Sequence, residues 1–203
     1  MRPVTQAILA MAAIVLASNI FVQFRLGDWL TWGALTYPVA FLVTDVTNRI
    51  RGAAAARCVV LAGFVVGIAC SLIAAGFGTT TLRIAIGSGA AFLVGQLIDV
   101  AIFDGLRHRN WWQAPFLSSL VGSAVDTMLF FFIAFAAMLP HDGNTGWATE
   151  AVPLLGHGPL APLWMSLGLA DWMVKLGLAT LALVPFRIIV RKILSRPAEK
   201  PLT

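Results

Sequence analysis

Charged residues are scarce in this chain. Asp, Glu, Lys and Arg together make up 11% of its 203 residues, about half of the fraction found in an average soluble domain. Apolar residues make up 59%, and the mean hydropathy is +0.87. This composition excludes an ordinary soluble fold and predicts a protein whose surface largely faces lipid.

Cysteine is also nearly absent, with Cys58 and Cys70 as its two occurrences. Both lie in one apolar stretch and are twelve residues apart. That spacing places them on different faces of a helix and far beyond the reach of a disulfide bond. We predict that both are packing residues without a redox role.

Motifs that mark catalytic and cofactor-binding sites are missing as well. The sequence has no phosphate-binding glycine loop, no H-E-x-x-H, no G-x-S-x-G and no C-x-x-C. The histidines His141 and His157 show no metal-ligand spacing. We therefore predict that the chain is not an enzyme and needs no metal or other cofactor. Without a nucleotide-binding domain it is not an ATP-driven pump by itself.

Long apolar runs dominate what is present. A membrane-spanning helix needs about 20 predominantly apolar residues. Six runs meet this requirement, at about 5–24, 29–48, 58–77, 83–104, 115–138 and 163–187. The prediction is an all-α integral membrane protein, with residues 1–203 forming a single bundle of six transmembrane helices and a basic tail at 188–203. The first run lacks a cleavage site and is read as a retained helix.

The basic residues show how the bundle is oriented. In a six-helix arrangement, 11 of the 14 Lys and Arg residues fall on one side, in the second and fourth connections and at the two termini. The positive-inside rule places both termini in the cytoplasm. The net charge of +5 is explained by this topology, so no nucleic-acid partner is expected. The predicted location is the bacterial inner membrane, with the lipid bilayer as a partner.

Polar residues inside the apolar runs are the candidates for a site. An ionisable group near the centre of a membrane helix costs about 2.5 kcal/mol or more, so such groups usually face the interior of the bundle and mark a pathway or site. The candidates are Asp45, Asn48, Gln96, Asp99, Asp126, Thr127, Asp171 and Lys175. Most of them follow helical spacing, together with Phe92 and Phe130. A water-accessible cavity between several helices is the inference.

Structural roles compete with this interpretation. Asp45 could pair with Arg49, four residues further along its helix, and Asp171 could neutralise Lys175 in the same way. Asp99 and Asp126 have no cation at a neighbouring helical position, which favours a functional role for them. The serines of the fifth span, and Gly63 with Gly67, are better explained by helix packing.

Two of the acids lie in similar segments. Residues 95–103 and 122–130 share the pattern G-x-x-x-D-x-x-x-F. Transporters often contain internal repeats, but three shared letters in apolar sequence can also arise by chance. The repeat stays an open alternative at this point.

Several longer stretches resemble a known family. They are LTYP at 35–38, FLVTDVTNRIRG at 41–52, GQLIDVAIF at 95–103 and WWQAPFLSSLVGSAVDTMLFFFIAF at 111–135. Together they resemble the queuosine precursor transporter family, also called the VUT or YhhQ family. The likeness runs from about residue 29 to 190. Ser123 departs from the family pattern, in which an asparagine is common, and the segment 140–162 is longer than usual.

The resemblance implies an importer of 7-deazaguanine precursors of the tRNA base queuosine, namely the nitrile preQ0 and the aminomethyl compound preQ1. A carboxylate can accept adjacent N–H groups of such a base, and an amide can both donate and accept. On this basis Asp99 and Asp126, with Gln96, are expected to recognise the base edge, and Phe92 or Phe130 to stack on the ring. Facilitated transport is preferred over proton coupling.

Other functions remain open on the sequence alone. The chain could be the substrate-binding membrane subunit of a multi-component vitamin-type importer, or a secondary transporter of another small metabolite. It could also be a structural membrane assembly protein whose buried acids only hold helices together. Because six helices are few for a complete alternating-access transporter, a homodimer is possible.

Overall fold

A computed structural model describes residues 2–21, 24–26, 30–36, 38–139 and 145–195. Within these ranges seven α-helices follow in chain order: α1 (Arg2–Phe21), α2 (Trp32–Thr36), α3 (Pro38–Arg51), α4 (Ala53–Gly76), α5 (Leu82–Leu106), α6 (Gln113–Phe135) and α7 (Leu163–Leu194). Within the described ranges, five of them are long and apolar enough to cross a membrane, namely α1, α4, α5, α6 and α7. The predicted helical membrane fold is confirmed. Tyr37 and His141 lie outside the described residues.

The second predicted span differs from the observed structure. Instead of one helix over 29–48, the chain forms the short α2 and the separate α3, which begins at Pro38. A proline is favourable at the first position of a helix but disfavours helical geometry in the residue before it. Pro38 therefore explains the start of α3, and the residue between the two helices lies outside the described residues.

The connection predicted at 49–57 is also shorter in the structure. Arg49 and Arg51 belong to the last turn of α3, and Arg57 lies in the first turns of α4. Gly52 alone separates the two helices, and its φ of +86° lies in the left-handed region that glycine adopts without strain. One residue is thus sufficient to turn the chain back.

Helices α5 and α6 form the most extensive pair in the bundle, with α1 and α4 on one side of α5 and α7 beside α6. In the predicted G-x-x-x-G segment of α4, a Cβ added to Gly63 would lie 2.6 Å from the side chain of Met11 in α1. At Gly67 it would lie 3.0 Å from Val15. These glycines therefore allow close packing of α4 on α1. Cys58 is exposed, so its prediction as a packing residue is wrong, while Cys70 is partly buried.

In the described part of the chain, the end of the bundle opposite the arginine-rich connections carries two small hairpins. Strands β1 (Arg25–Leu26) and β2 (Leu30–Thr31) pair antiparallel, as do β3 (Ala151–Pro153) and β4 (Leu160–Pro162). Residues 151–155 thus belong to a hairpin and a following 3₁₀ turn. Arg83 donates to the main-chain oxygens of Ile133 and Ala136, which satisfies carbonyl groups at the end of α6.

Candidate functional site

A narrow cleft between α3, α6 and α7 is the candidate site. It encloses about 390 Å³, part of which is open to the surroundings. Its lining consists of Pro38, Phe41, Leu42, Asp45, Pro115, Ser119, Ser123, Lys175, Ala179, Ala182, Leu183 and Phe186. Apolar walls with a few polar groups are typical of small-molecule sites.

Asp45 is the acid that lines this cleft from α3. Its two carboxylate oxygens accept hydrogen bonds from the hydroxyl groups of Ser118, at 3.4 Å, and Ser119, at 3.5 Å. The predicted alternative, a pair with Arg49, is not formed, because the Arg49 guanidinium donates to the main-chain oxygen of Arg107 instead. Asp45 therefore has no cationic side chain as a partner among the described residues.

Asp99 lies behind Asp45 on α5 and is fully buried. The Ser119 hydroxyl lies 3.5 Å from Asp99 Oδ1 and 3.5 Å from Asp45 Oδ2, so it bridges the two acids. The two carboxyl groups are thus neighbours, joined through one hydroxyl. Asp99 Oδ2 has no hydrogen-bond partner within the described part of the chain. The structure thus brings together two acids that are 54 residues apart in sequence.

Gln96 and Asn48 lie one turn away from these acids. The Gln96 side-chain oxygen accepts a hydrogen bond of 2.7 Å from Thr44, and the Asn48 amide donates to the main-chain oxygen of Val100 at 3.0 Å. Both side chains are fully buried and join α3 to α5. Gln96 Nε2 and Asn48 Oδ1 have no hydrogen-bond partner among the residues that the structure describes. Neither residue lines the cleft.

Lys175 forms the centre of a second polar cluster, on the α7 side of the cleft. Its ammonium lies 2.8 Å from Asp126 Oδ2, 2.6 Å from Asp171 Oδ2 and 3.0 Å from the hydroxyl of Thr127. Thr127 in turn donates to Asp171 at 2.9 Å. The predicted pair of Asp171 and Lys175 is present. The cation for Asp126, which its own helix does not supply, comes from α7.

The two aromatic candidates lie away from the cleft. Phe92 belongs to the hydrophobic cluster between α1, α4 and α5. Phe130 contacts Phe131 and Phe135 edge to face, with ring centroids 5.1 and 6.1 Å apart. The aromatic rings of the cleft wall are instead those of Phe41 and Phe186.

The two G-x-x-x-D segments meet where α5 crosses α6. A Cβ on Gly95 would lie 2.8 Å from Asp126 Cβ, and one on Gly122 would lie 2.9 Å from Asp99 Cβ. Each glycine thus packs against the aspartate of the other segment. This reciprocal contact explains the shared sequence pattern physically. A residue larger than glycine at either position would hold the two helices apart, so both glycines are needed for the close approach.

Some residues of the cleft were missed or undervalued in the sequence. The sequence predicts a helix-packing role for Ser119 and Ser123, yet both line the cleft, and Ser119 also joins the two acids. Phe186 was not predicted at all. The fifth span does carry a signal, since Ser119, Ser123 and Thr127 repeat every four residues and so share one helical face.

Comparisons with known proteins bear on what the cleft does. A family profile described as "Putative vitamin uptake transporter" matches residues 31–190, which is most of the chain. The chain belongs to this family. Its resemblance to queuosine precursor transporters is confirmed by relatives with that name, and the helices long enough to span a membrane make it a multi-pass membrane protein of a transporter family.

Three relatives of this transporter family member illustrate the likeness. The "Queuosine precursor transporter" of Escherichia coli (strain K12) is 32% identical, with 92% of this chain and 86% of that protein aligned. A "Probable queuosine precursor transporter" of Haemophilus influenzae is 34% identical, with 94% and 87% aligned. Another from Bacillus subtilis (strain 168) is 24% identical, with 81% and 72% aligned. No solved structure matches the chain.

Proposed function

We propose that this chain imports 7-deazaguanine precursors of queuosine, preQ0 and preQ1, across the bacterial inner membrane. The observation that carries the proposal is a cleft of suitable chemistry within a member of this transporter family. The names and coverage of the relatives supply the substrate class. In this proposal the chain has no enzymatic activity and binds no nucleic acid.

The proposed binding mode places the flat base between the apolar walls of the cleft. Phe41 and Phe186 provide aromatic surface for the ring. Ser123 lies on the lining as a hydrogen-bond donor for the base carbonyl. Lys175 lies on the same lining and contributes positive charge beside it. Asp45 is then available to groups attached to the other side of the base.

The remaining predicted site residues support the cleft from behind in this proposal. Asp126, Asp171 and Thr127 hold the Lys175 ammonium, and Asp99 is joined to Asp45 through Ser119. The other four predicted residues keep the helices in register and do not touch the substrate; they are Gln96, Asn48, Phe92 and Phe130. This changes the expectation that Gln96 and the two phenylalanines contact the base, because none of the three lines the cleft.

A bulky side chain in the cleft tests this proposal in cells. Ala182 lines the cleft, whereas its neighbour Leu181 is 68% exposed on the outer surface of α7. In cells that lack their own precursor synthesis and transport, wild-type protein is expected to give saturable uptake of labelled preQ0 and preQ1. Ala182→Trp should abolish this uptake, and the matched control Leu181→Trp should retain it.

The same assay contains the results that would overturn the proposal. If well-expressed wild-type protein gives no uptake of either precursor, the substrate assignment is wrong. If Ala182→Trp reaches the membrane and transports as well as Leu181→Trp, the cleft is not the transport site. A homodimer is also part of the proposal, and cross-linking in the membrane tests it separately.

A further inference from the structure

The two acidic clusters of the bundle have the same kind of ligand set. Asp126 and Asp171, with the hydroxyl of Thr127, surround the ammonium of Lys175 at 2.6 to 3.0 Å. Asp45 and Asp99, with the hydroxyls of Ser118 and Ser119, form a comparable set of two carboxyl groups and two hydroxyls. No basic side chain within the described residues lies against this second set.

The crossing of α5 and α6 relates the two sets to each other. Gly122 packs on Asp99 as Gly95 packs on Asp126, so the two aspartates occupy equivalent places on the two helices. One of them meets a lysine ammonium from α7. The other is fully buried, is joined to Asp45 through Ser119, and leaves Oδ2 without a hydrogen-bond partner in the described chain. An acceptor that is this deeply buried requires a donor.

Cationic side chains on the helices around Asp45 and Asp99 are engaged with other groups. Lys175 faces the cleft, but its charge is held by Asp126 and Asp171. On the arginine-rich side, Arg49 is directed to a main-chain oxygen, and Arg187 lies over the ring of Trp111 at 4.5 Å. Two neighbouring carboxyl groups in a low-dielectric site do not both ionise, because repulsion and desolvation oppose it. One proton shared between them resolves the conflict.

We propose that the pair of Asp45 and Asp99 is a subsite for an alkylammonium group of the substrate, and that this group replaces the shared proton when it binds. The inference rests on the proposed function and deepens it. PreQ1 carries such a group on its aminomethyl substituent, whereas the nitrile of preQ0 is neutral. Asp45 makes the contact from the cleft wall, and Asp99 supports it through Ser119.

Charge and atoms balance in this exchange. Before binding, one carboxylic acid and one carboxylate carry a single negative charge, and the ammonium ion brings one positive charge. Afterwards both acids are carboxylates, Asp45 contacts the ammonium, and one proton has left to the solvent. By linkage, affinity for preQ1 then increases with pH, by up to about tenfold per pH unit. The nitrile leaves the shared proton in place, so affinity for preQ0 does not change over the same range.

The test is calorimetric binding to the purified full chain in lipid nanodiscs. Each precursor is titrated at pH 7 in two buffers that differ in ionisation enthalpy, which gives the number of protons released. The expected result is about one proton for preQ1 and none for preQ0. Because wild-type protein is used, the outcome does not depend on whether a variant folds.

A variant adds a second readout. Asp45→Asn should abolish proton release and weaken preQ1 relative to preQ0 on the order of 10- to 100-fold, as expected for loss of a charge-assisted contact. The control is Asp104→Asn, which removes an acid that is paired with Arg107 outside the cleft. It should leave proton release unchanged.

The outcomes separate this inference from the proposed function. If both precursors bind and preQ1 releases no proton, or if both release the same number, the ammonium subsite is overturned while the substrate class stands. If neither precursor binds to folded protein, the proposed function is wrong and the subsite is wrong with it.

Discussion

At the residue scale, Lys175 is the most constrained side chain of the site. It is nearly buried and touches two carboxylates and a hydroxyl, each from a different residue. A buried ion pair of this kind adds little net stability, but removal of one partner leaves an uncompensated charge. Its contribution is therefore best measured by substitution.

Lys175→Met should lower the free energy of unfolding by about 3 to 5 kcal/mol, because Asp126 and Asp171 lose their cation. Thermal unfolding in detergent measures the change. Asp126→Asn and Asp171→Asn, added to Lys175→Met, should recover much of the loss by removing both charges. The control Arg107→Met breaks a half-exposed pair and should cost at most about 1 kcal/mol. Equal losses for the two single variants would contradict the account.

Sequence reasoning identified which residues are polar in the membrane but not how they are paired. The partner of Asp126 is 49 residues away on another helix, and no local spacing contains that information. For Asp45 the local spacing does suggest a partner, Arg49, but this pair does not form. In the folded bundle Arg49 instead donates to the main-chain oxygen of Arg107. Helical periodicity specifies a face, whereas the facing residue depends on the packing of whole helices.

At the element scale, the crossing of α5 and α6 positions both acidic clusters. Gly95 and Gly122 allow the helix backbones to approach, and each contacts the aspartate of the other segment. The G-x-x-x-D pattern suggested a repeat before the contact was known. The reciprocal packing of the two segments could not be predicted, because the sequence of one helix does not determine its register against another.

Gly95→Ala tests this crossing. The added Cβ would lie 2.8 Å from Asp126 Cβ and 2.9 Å from the Gly122 main-chain oxygen, so the helices must separate. We expect a loss of about 1 to 3 kcal/mol in unfolding free energy. Gly105→Ala is the matched control in the same helix, with nothing within 4 Å of the added atom. It should be neutral or stabilise by up to about 1 kcal/mol. A Gly95→Ala protein as stable as Gly105→Ala would show that the close approach is not required.

The start of α3 shows a signal that the sequence did contain. Pro38 is favourable as the first residue of a helix. Hydropathy alone runs through this point without interruption, and it therefore predicted one continuous span. The one-residue connection at Gly52 was missed for a different reason, because a cluster of arginines resembles a loop.

At the scale of the whole molecule, charge and hydropathy were sufficient for the class of fold and for a predicted orientation. That orientation places the connection near Asn110 in the cytoplasm and the turn near Thr79 on the opposite side. After Cys58 and Cys70 are changed to Ala, Thr79→Cys should react in intact spheroplasts with a maleimide that cannot cross the membrane. Asn110→Cys should react only after the membrane is permeabilised. The reverse pattern would invert the predicted topology.

The function of the molecule is the part that physical reasoning from composition could not supply. Buried acids and a cleft predict a polar small molecule, but the substrate class comes from family membership and named relatives. The chain also has to act alone for the account to hold. A vitamin-type substrate-binding subunit would need further proteins, and a structural assembly protein would not transport at all.

Uptake into liposomes that contain only the purified chain tests the central claim most directly. Labelled preQ0 and preQ1 are supplied outside, and accumulation is followed with wild type, Ala182→Trp and Leu181→Trp reconstituted at equal density. The account predicts saturable uptake of both precursors by wild type and Leu181→Trp, and background uptake by Ala182→Trp. Background uptake by folded wild-type protein would contradict the claim that this chain is by itself a queuosine precursor transporter.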